Sequence, residues 1–178
     1  MTVPRKKIGE QKVDLFDWQD ECRRTFSTKV KENVGSILFH VSAATNSGKT
    51  TALSACAVEA IKKFNADLIL IVTPSLPIKA GWVSDARKMG LNLTANVSNR
   101  ALVQSQLDPE IHGLVTTYQS VDANSLIYNY LVENFEVFVA LDEVHMVGQN
   151  KAWGNSVYEA FAGAAFITTT SATPFRND

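Results

Sequence analysis

The sequence predicts an α/β fold: a doubly wound, mostly parallel sheet with helices on both faces. Short apolar runs rich in β-branched residues alternate along the chain with longer segments of helical character. Asp67–Thr73 and Val137–Leu141 are almost continuously apolar. Such runs are typical of parallel strands that are covered on both faces. The chain has 178 residues, which is enough for one domain with a sizeable core and too few for two.

The first helix is predicted to run for about fifteen residues from an N-cap at Asp17. Its apolar positions recur every four residues and so form one inner face. They are Trp18, Cys22, Phe26 and Val30. Residues 1–13 are expected to be a flexible lead-in to a domain that covers residues 14–178. The run 37–41 after Gly35 is rich in β-branched and aromatic residues, which predicts a buried strand.

The later elements follow from the same signals. Thr50–Phe64 is rich in alanine and lacks Gly and Pro, which favours a helix. Pro74 and Pro77 end the strand 67–73, and Leu91–Val97 alternates as a less covered strand would. The remaining predicted helices are 78–88, 99–107, 121–134 and 156–162, and the remaining strands are 113–117, 137–141 and 165–171.

Composition narrows the class of protein. The apolar content of 46% and the charged content of 20% are ordinary for a globular protein, and the net charge of -1 does not indicate a strong polyanion binder. Cys22 and Cys56 are too few for a disulfide framework or a zinc site, so buried free thiols are expected. No apolar run is long enough for a membrane span, and the basic N-terminus has no apolar core after it. We therefore expect a cytoplasmic protein with no membrane partner.

The segment after the first predicted strand has the pattern of a phosphate-binding loop. Backbone N–H groups of a small-residue loop, together with a helix N-terminus, can cradle a phosphate. Lys49 can then reach the β- and γ-phosphates, and the Thr50 hydroxyl can ligate Mg²⁺. The expected nucleotide-binding residues here are Ala44, Thr45, Asn46, Ser47, Gly48, Lys49 and Thr50.

Two positions depart from the plain form of this loop, which has glycine at its first position. Ala43 stands there, and it fits if that position has negative φ. Asn46 stands where a further glycine is common, and asparagine adopts positive φ more readily than most residues. The alternative is a chance Gly-Lys-Thr at a helix start.

Asp142 and Glu143 directly follow the predicted strand 137–141 and form the second candidate cluster. An aspartate in this place can hold a metal ion through the ion's waters, and the neighbouring glutamate can take a proton from an attacking water. The alternative is a pair of ordinary acids at a strand end. Every polar cluster follows a predicted strand, and ligands of such sheets bind at the carboxyl ends of strands. The clusters are 43–50, 73–75, 116–119, 142–145 and 171–173.

Together these segments resemble the motifs of superfamily 2 DExH helicases and translocases, in family order from residue 15 to residue 176. Asp142–His145 resembles the DExH box, 43–50 the first motif, and 171–176 the third motif with its Pro-x-Arg extension. Val115–Ser120 is similar to the TTYQS motif of the branch that contains restriction-enzyme motors. Thr73–Leu76, with Trp82 behind it, is similar to motif Ia, and 16–19 to the aromatic-glutamine pair that binds adenine.

The resemblance implies a RecA-like P-loop NTPase fold with ATP and Mg²⁺ as cofactors, and catalytic roles for Lys49, Asp142 and Glu143. Asp142 and Thr50 would hold the metal, and Gln19 would hydrogen-bond adenine beside a stacked Phe16 or Trp18. The residues that would couple the γ-phosphate to nucleic acid are His145, Ser171 and Thr173. Those that would contact nucleic acid, expected to be DNA, are Thr73, Ser75, Thr116, Thr117 and Gln119. The simpler alternatives are strand-end capping for these residues and a structural role for His145.

A motor of this family needs two such lobes, the second of which supplies an arginine finger. The sequence stops just after the third motif, so we expect ATP binding and at best slow hydrolysis from this chain alone. The implied partner is a second RecA-like lobe, in cis or in trans. Two alternatives are a P-loop ATPase switch that acts on a protein partner and a docking module for nucleic acid or protein that does not hydrolyse ATP.

Overall fold

The computed structural model describes residues 7–104, 108–149 and 151–172, and side chains are described throughout except those of Val103 and Lys151. The described part contains the strands β1 (Ile37–Ser42), β2 (Leu68–Thr73), β3 (Leu93–Thr94), β4 (Gly113–Thr117), β5 (Val137–Leu141) and β6 (Phe166–Ser171). Its helices are α1 (Asp17–Glu32), α2 (Lys49–Phe64), α3 (Leu76–Lys88), α4 (Asn99–Val103), α5 (Tyr118–Ala123), α6 (Ser125–Asn134), α7 (His145–Gln149) and α8 (Lys151–Phe161).

The six strands form one sheet in the order β1-β6-β5-β2-β4-β3, and all the pairs are parallel. The predicted α/β class with a parallel, doubly wound sheet is therefore confirmed. Because the strands are parallel, all their carboxyl ends lie at one edge of the sheet. The polar segments that follow β1, β2, β4, β5 and β6 are thereby brought to the same side of the molecule.

Two apolar layers cover the sheet. On one face, Phe26 of α1 is fully buried among aromatic rings, with centroid distances of 5.7 Å to Phe39 and to Phe138. The predicted inner face of α1 is confirmed, because Trp18, Cys22 and Val30 pack against this same cluster. On the other face, helices α5, α6 and α8 contribute the second cluster. Both cysteines are free thiols, Cys56 buried and Cys22 half-buried.

Several element predictions are wrong in detail. Helix 121–134 is interrupted at Asn124, whose side-chain amide donates to the carbonyl of Ser120 and ends α5. The strand predicted over 91–97 is reduced to Leu93–Thr94, and the last helix begins at Lys151, earlier than expected. Strand β1 lies at the sheet edge, so only alternate residues are buried and Leu38 is 61% exposed.

The predicted boundaries of α1 and α3 also change. Asp17 is the first helical residue and not the cap; the residue before it, Phe16, has extended backbone, and its N–H donates to Gln19 Oε1 at 2.8 Å. Helix α3 begins at Leu76, so that Pro77 lies inside its first turn. Proline is tolerated there because an N–H in the first turn has no intrahelical acceptor.

The start of the described chain is held against the domain. Gly9 N–H donates to the Gly90 carbonyl at 2.9 Å, and Lys12 N–H donates to the Lys88 carbonyl at 2.7 Å. The Lys7 carbonyl also lies 3.1 Å from His112 Nε2. The expectation of a flexible lead-in is therefore wrong for residues 7–12, because their backbone groups are paired with the α3–β3 turn; residues 1–6 lie outside the described part.

A buried glutamate joins α1 to α2. Glu59 accepts hydrogen bonds from Arg23 Nη1 and Ser27 Oγ, both at 2.8 Å, and forms an ion pair with Lys63 at 2.9 Å. Burial alone would raise the pKa of Glu59, but the hydrogen bonds from Lys63, Ser27 and Arg23 outweigh it and hold the pKa below the ordinary value of 4.5. The ionised carboxylate is thus the form that the folded state stabilises.

Glu59→Gln is expected to lower the free energy of unfolding at pH 7 by about 1–3 kcal/mol, because Arg23 and Ser27 lose a charged acceptor. The folded pKa lies below the unfolded one, so this stabilisation is complete above about pH 4.5 and is lost as pH falls through the folded value. Urea unfolding at pH 7 and pH 3 measures it. Glu21→Gln, at an exposed position of α1, is the control. A Glu59→Gln effect equal at both pH values would contradict the prediction.

Candidate active site

The loop between β1 and α2 closes as the pattern predicted. Asn46 has φ +59° and Gly48 has φ +89°, so the prediction that Asn46 takes the left-handed conformation is confirmed. Gly48 caps the 16-residue helix α2 and leaves no room for a side chain, because a Cβ there would lie 2.4 Å from Gln19 Nε2. The N-terminus of α2 therefore begins inside a tight, small-residue loop at the carboxyl edge of the sheet.

Lys49 and Glu143 meet across this edge. The Lys49 ammonium donates to Glu143 Oε1 at 2.9 Å, and the two side chains are 9% and 20% exposed. Glu143 Oε2 accepts the N–H of Ala172 at 3.1 Å, so one carboxylate joins α2, the turn after β5 and the end of β6. Glu143 itself has φ +50°, which is a strained backbone conformation for a residue other than glycine. Such conformations are common at functional sites.

The neighbouring carboxylate, Asp142, is 7% exposed and held by two donors. Thr170 Oγ1 donates to Asp142 Oδ1 at 2.7 Å, and Trp82 Nε1 donates to Oδ2 at 2.9 Å. The Tyr118 hydroxyl donates to the backbone carbonyl of Asp142 at 2.8 Å. Burial, with a further contribution from the charges of Asp142 and Glu143, raises the pKa of Tyr118 far above its ordinary value. Tyr118 is therefore a neutral donor at pH 7.

The predicted coupling residues lie beside these acids where they are described. His145 Nδ1 is 3.4 Å from Glu143 Oε2, and that buried nitrogen has no hydrogen-bond partner in the described part of the chain. Ser171 is buried, and its carbonyl accepts the N–H of Ala43, the residue that opens the loop, at 3.3 Å. Thr173 lies outside the described residues.

Gln19 lies against the loop but is 2% exposed. Its Oε1 accepts the N–H of Phe16, and its Nε2 donates to the carbonyl of Gly48 at 3.0 Å. The amide that the resemblance assigns to adenine therefore joins α1 to the phosphate-binding loop. The Gln19 amide has one N–H and one oxygen lone pair that these two bonds do not use, so the adenine contact stays a proposal. Phe16 is exposed nearby.

The five residues predicted to contact nucleic acid divide into two groups. Thr73, Thr116 and Thr117 are buried, and their hydroxyls bond inside the protein. Thr73 Oγ1 donates to the Thr116 carbonyl, Thr116 Oγ1 lies 2.8 Å from the Tyr128 hydroxyl, and Thr117 Oγ1 caps α5. The three hydroxyls are thus engaged within the protein in this arrangement, and contact of these residues with nucleic acid stays a prediction. Ser75 is half-buried and Gln119 is exposed.

The structure adds three residues that the sequence did not single out for a role: Trp82, Tyr118 and Thr170. The first two stand inside segments that resemble family motifs, but nothing in those segments indicated that they contact Asp142. Thr170 lies outside the segments that resemble family motifs. Its hydroxyl bonds Asp142 and also accepts the N–H of Glu143 at 3.1 Å, so it holds the two acids together.

The residues of this edge fit a magnesium-bound triphosphate. Ser47 Oγ is buried in the loop without a hydrogen-bond partner among the described residues, as expected of a group that awaits a ligand. Lys49 supplies a cation at the helix start, and Thr50, the second residue of α2, supplies a hydroxyl. Asp142 and Glu143 supply oxygen ligands of the kind that Mg²⁺ prefers, directly or through water. Within the described ranges, no group of three or more His, Cys, Asp or Glu forms a metal site made of protein ligands alone.

Fold and site together are those of an ATP-binding lobe of the superfamily 2 helicase type, with a RecA-like fold. A sequence model of the family described as "Type III restriction enzyme, res subunit" matches residues 12–176. Because the match covers most of the chain, the protein belongs to this family.

Curated relatives in mycobacteria are similar over part of their length. The chain is 33% identical to an uncharacterized protein of Mycobacterium leprae over 132 residues, and 31% identical to one of Mycobacterium tuberculosis over the same length. These alignments cover 74% of this chain. The chain spans only 22% and 21% of the two relatives, about a fifth of their length.

Solved structures share the fold. The Sulfolobus solfataricus SWI2/SNF2 ATPase core in complex with dsDNA has a TM-score of 0.69 at 19% identity, over 100% of this chain and 35% of that one. The type ISP restriction-modification enzyme LlaGI, in complex with a DNA substrate mimic, has a TM-score of 0.66 at 16% identity, over 91% and 18%. The UvsW helicase of bacteriophage T4 has a TM-score of 0.62 at 14% identity, over 96% and 57%.

The described part contains no helix that is both long enough and apolar enough to cross a membrane.

Proposed function

We propose that this chain is the ATP-binding lobe of a DNA helicase or translocase and that it hydrolyses ATP when a second RecA-like lobe completes the site. The observation that carries the proposal is the 2.9 Å contact between Lys49 and Glu143, with Asp142 beside it. A phosphate-binding lysine and paired acids from two strand ends are the parts that phosphoryl transfer requires.

Each residue has a definite part in this proposal. The loop N–H groups of 44–48 and Lys49 bind the phosphates, and Thr50 and Asp142 orient the metal. When bound, Mg²⁺ neutralises charge on the phosphates and orients them for attack. The Glu143 carboxylate breaks its contact with Lys49, contacts the attacking water and accepts a proton from that water. Gln19 contacts the base.

The nucleic-acid face in this proposal is the carboxyl edge beside β2 and β4. Ser75 and Gln119 offer polar side chains there, and the first turn of α3 offers backbone N–H groups suited to phosphates. His145, Ser171 and Thr173 would couple this face to the γ-phosphate. DNA is favoured as the substrate because two structures of similar fold are described as complexes with DNA.

Steady-state ATP hydrolysis tests the proposal, measured for this chain alone and for the chain supplied with a second lobe, each with and without double-stranded DNA. We expect slow turnover alone and, because the second lobe brings an arginine finger, a rise of about 10³-fold in the two-lobe form. DNA should raise that rate further. Glu143→Gln should lower turnover by about 10²-fold or more and leave ATP binding intact.

The other outcomes separate the alternatives. Hydrolysis that DNA and RNA leave unchanged in the two-lobe form would favour a switch that acts on a protein. Mg·ATP binding without hydrolysis in either form would favour the docking module. Either result would overturn the proposal.

A further inference from the structure

Two aromatic side chains connect Asp142 to the two segments that the proposed function places against nucleic acid. Trp82 belongs to α3, the helix that begins directly after Ser75. Tyr118 is the first residue of α5, directly after Thr117. Both donate to Asp142, Trp82 to the carboxylate and Tyr118 to the backbone carbonyl. One residue of the candidate metal site is therefore bonded to both segments.

The Trp82 contact fixes the carboxylate. Its indole is 2% exposed and donates to Asp142 Oδ2 at 2.9 Å, while Thr170 donates to Oδ1 at 2.7 Å. Two donors on different oxygens set the rotation of the carboxylate plane. Hydrogen bonds to a buried charge are strong because the local dielectric is low. Trp82 also packs in the apolar cluster under α3, but a phenylalanine ring could serve that purpose without the N–H.

The Tyr118 contact fixes the backbone at the same residue. Its hydroxyl reaches the Asp142 carbonyl at 2.8 Å, and its ring stacks on Trp153 with centroids 5.7 Å apart. Tyr118 is the first residue of α5 and its ring is fully buried, so a shift of α5 also shifts this ring and its hydroxyl. The turn after β5 is thus tied on one side to α3 and on the other to α5.

We propose that Trp82 is a positioning residue that orients Asp142 for magnesium, and that Trp82 and Tyr118 transmit displacement of α3 and α5 to that carboxylate. The inference rests on the proposed function, since it takes Asp142 to be the metal-orienting acid. A contact that shifts the first turn of α3 would then change how well Asp142 holds the metal. Outer partners of metal-orienting groups commonly have this effect.

Mg²⁺ affinity at saturating fluorescent ADP, measured on the 178-residue chain, tests the proposal. Trp82→Phe keeps the ring and removes the N–H, and it should weaken Mg²⁺ binding about tenfold. ADP affinity without Mg²⁺ should stay as in wild type. Tyr118→Phe should weaken Mg²⁺ binding less than Trp82→Phe, because it removes a bond to the backbone and not to the carboxylate.

Tyr128→Phe is the matched control. It also removes one buried aromatic hydrogen bond, at 2.8 Å to Thr116, but does not contact Asp142. Its Mg²⁺ affinity should equal that of wild type. A merely structural role for Trp82 would lower stability in Trp82→Phe and leave Mg²⁺ affinity unchanged, and that result would overturn the inference.

A second measurement keeps the inference testable if Trp82→Phe fails to fold. The chain has three tryptophans, so ¹⁵N-tryptophan labelling gives three indole N–H signals, and the one that persists in both Trp18→Phe and Trp153→Phe belongs to Trp82. That signal should move in Asp142→Asn and should move again in wild type when Mg²⁺ is added to the ADP complex. An Asp142→Asn spectrum with the Trp82 signal unmoved would overturn the inference.

The two proposals fail differently. If the wild-type chain binds nucleotide without any dependence on Mg²⁺, the proposed function fails, and the inference about Asp142 fails with it. If wild type shows the dependence and Trp82→Phe shows the same dependence, only the inference fails.

Discussion

Lys49→Ala is expected to abolish nucleotide binding at concentrations where the wild-type chain is saturated. The ammonium lies at the N-terminus of α2, and the loop 43–50 contains no other Lys or Arg that could replace it. Loss of charge-assisted contacts to phosphate should weaken binding about 100-fold, or about 2.7 kcal/mol. Titration with a fluorescent ATP analogue in the presence of Mg²⁺ measures the change.

The control for this variant lies on the same helix. Lys62 is exposed in the last turn of α2, and Lys62→Ala removes the same charge far from the loop. It should bind nucleotide as wild type does. Equal affinities for wild type and Lys49→Ala, with both folded by circular dichroism, would contradict the account of the loop.

Gly113→Ala is expected to have the largest effect on stability. Gly113 pairs with Ile69 where β4 lies beside β2, and a Cβ at this position would lie 1.9 Å from the Ile69 carbonyl oxygen. The obstacle is backbone, which cannot rotate away as a side chain can, so β2 and β4 must separate there. We expect the free energy of unfolding to fall by more than about 3 kcal/mol.

A second glycine provides a control of opposite sign. Gly81 lies inside α3, where an added Cβ would meet nothing within 4 Å. Gly81→Ala should therefore stabilise the protein by up to about 1 kcal/mol, since alanine favours the helix. Urea unfolding measures both variants. A Gly113→Ala cost below about 1 kcal/mol would show that β2 and β4 are not packed as described.

The sequence was sufficient for the features that depend on local pattern. The alternation of apolar runs and helical segments predicted the parallel sheet, and the positions of the strand ends predicted which polar segments meet. The loop 43–50 was predicted down to the positive φ of Asn46, because few residue types adopt that conformation. The parallel sheet predicted that Lys49 and the paired acids lie at the same edge, and the strand order β1-β6-β5 brings them into contact.

Features that depend on neighbours distant in sequence were missed. Trp82 and Asp142 are far apart along the chain, and the indole reaches the carboxylate because α3 packs on β2, which pairs with β5. Thr170 gave no signal because its role depends on the register of β6 beside β5. The partners of the Thr73 and Thr116 hydroxyls, on β4 and α6, gave no signal in the sequence either.

Paramagnetic broadening tests the central claim most directly: that one metal–nucleotide group binds between the loop and the paired acids. Mn²⁺ replaces Mg²⁺ in the ADP complex of the ¹⁵N-labelled chain, and loss of backbone amide signals is followed at low Mn²⁺. The account predicts that the signals of Lys49 and Thr50 and those of Asp142 and Glu143 are lost first and together. Early loss at only one of these two segments, or first at another part of the chain, would contradict it.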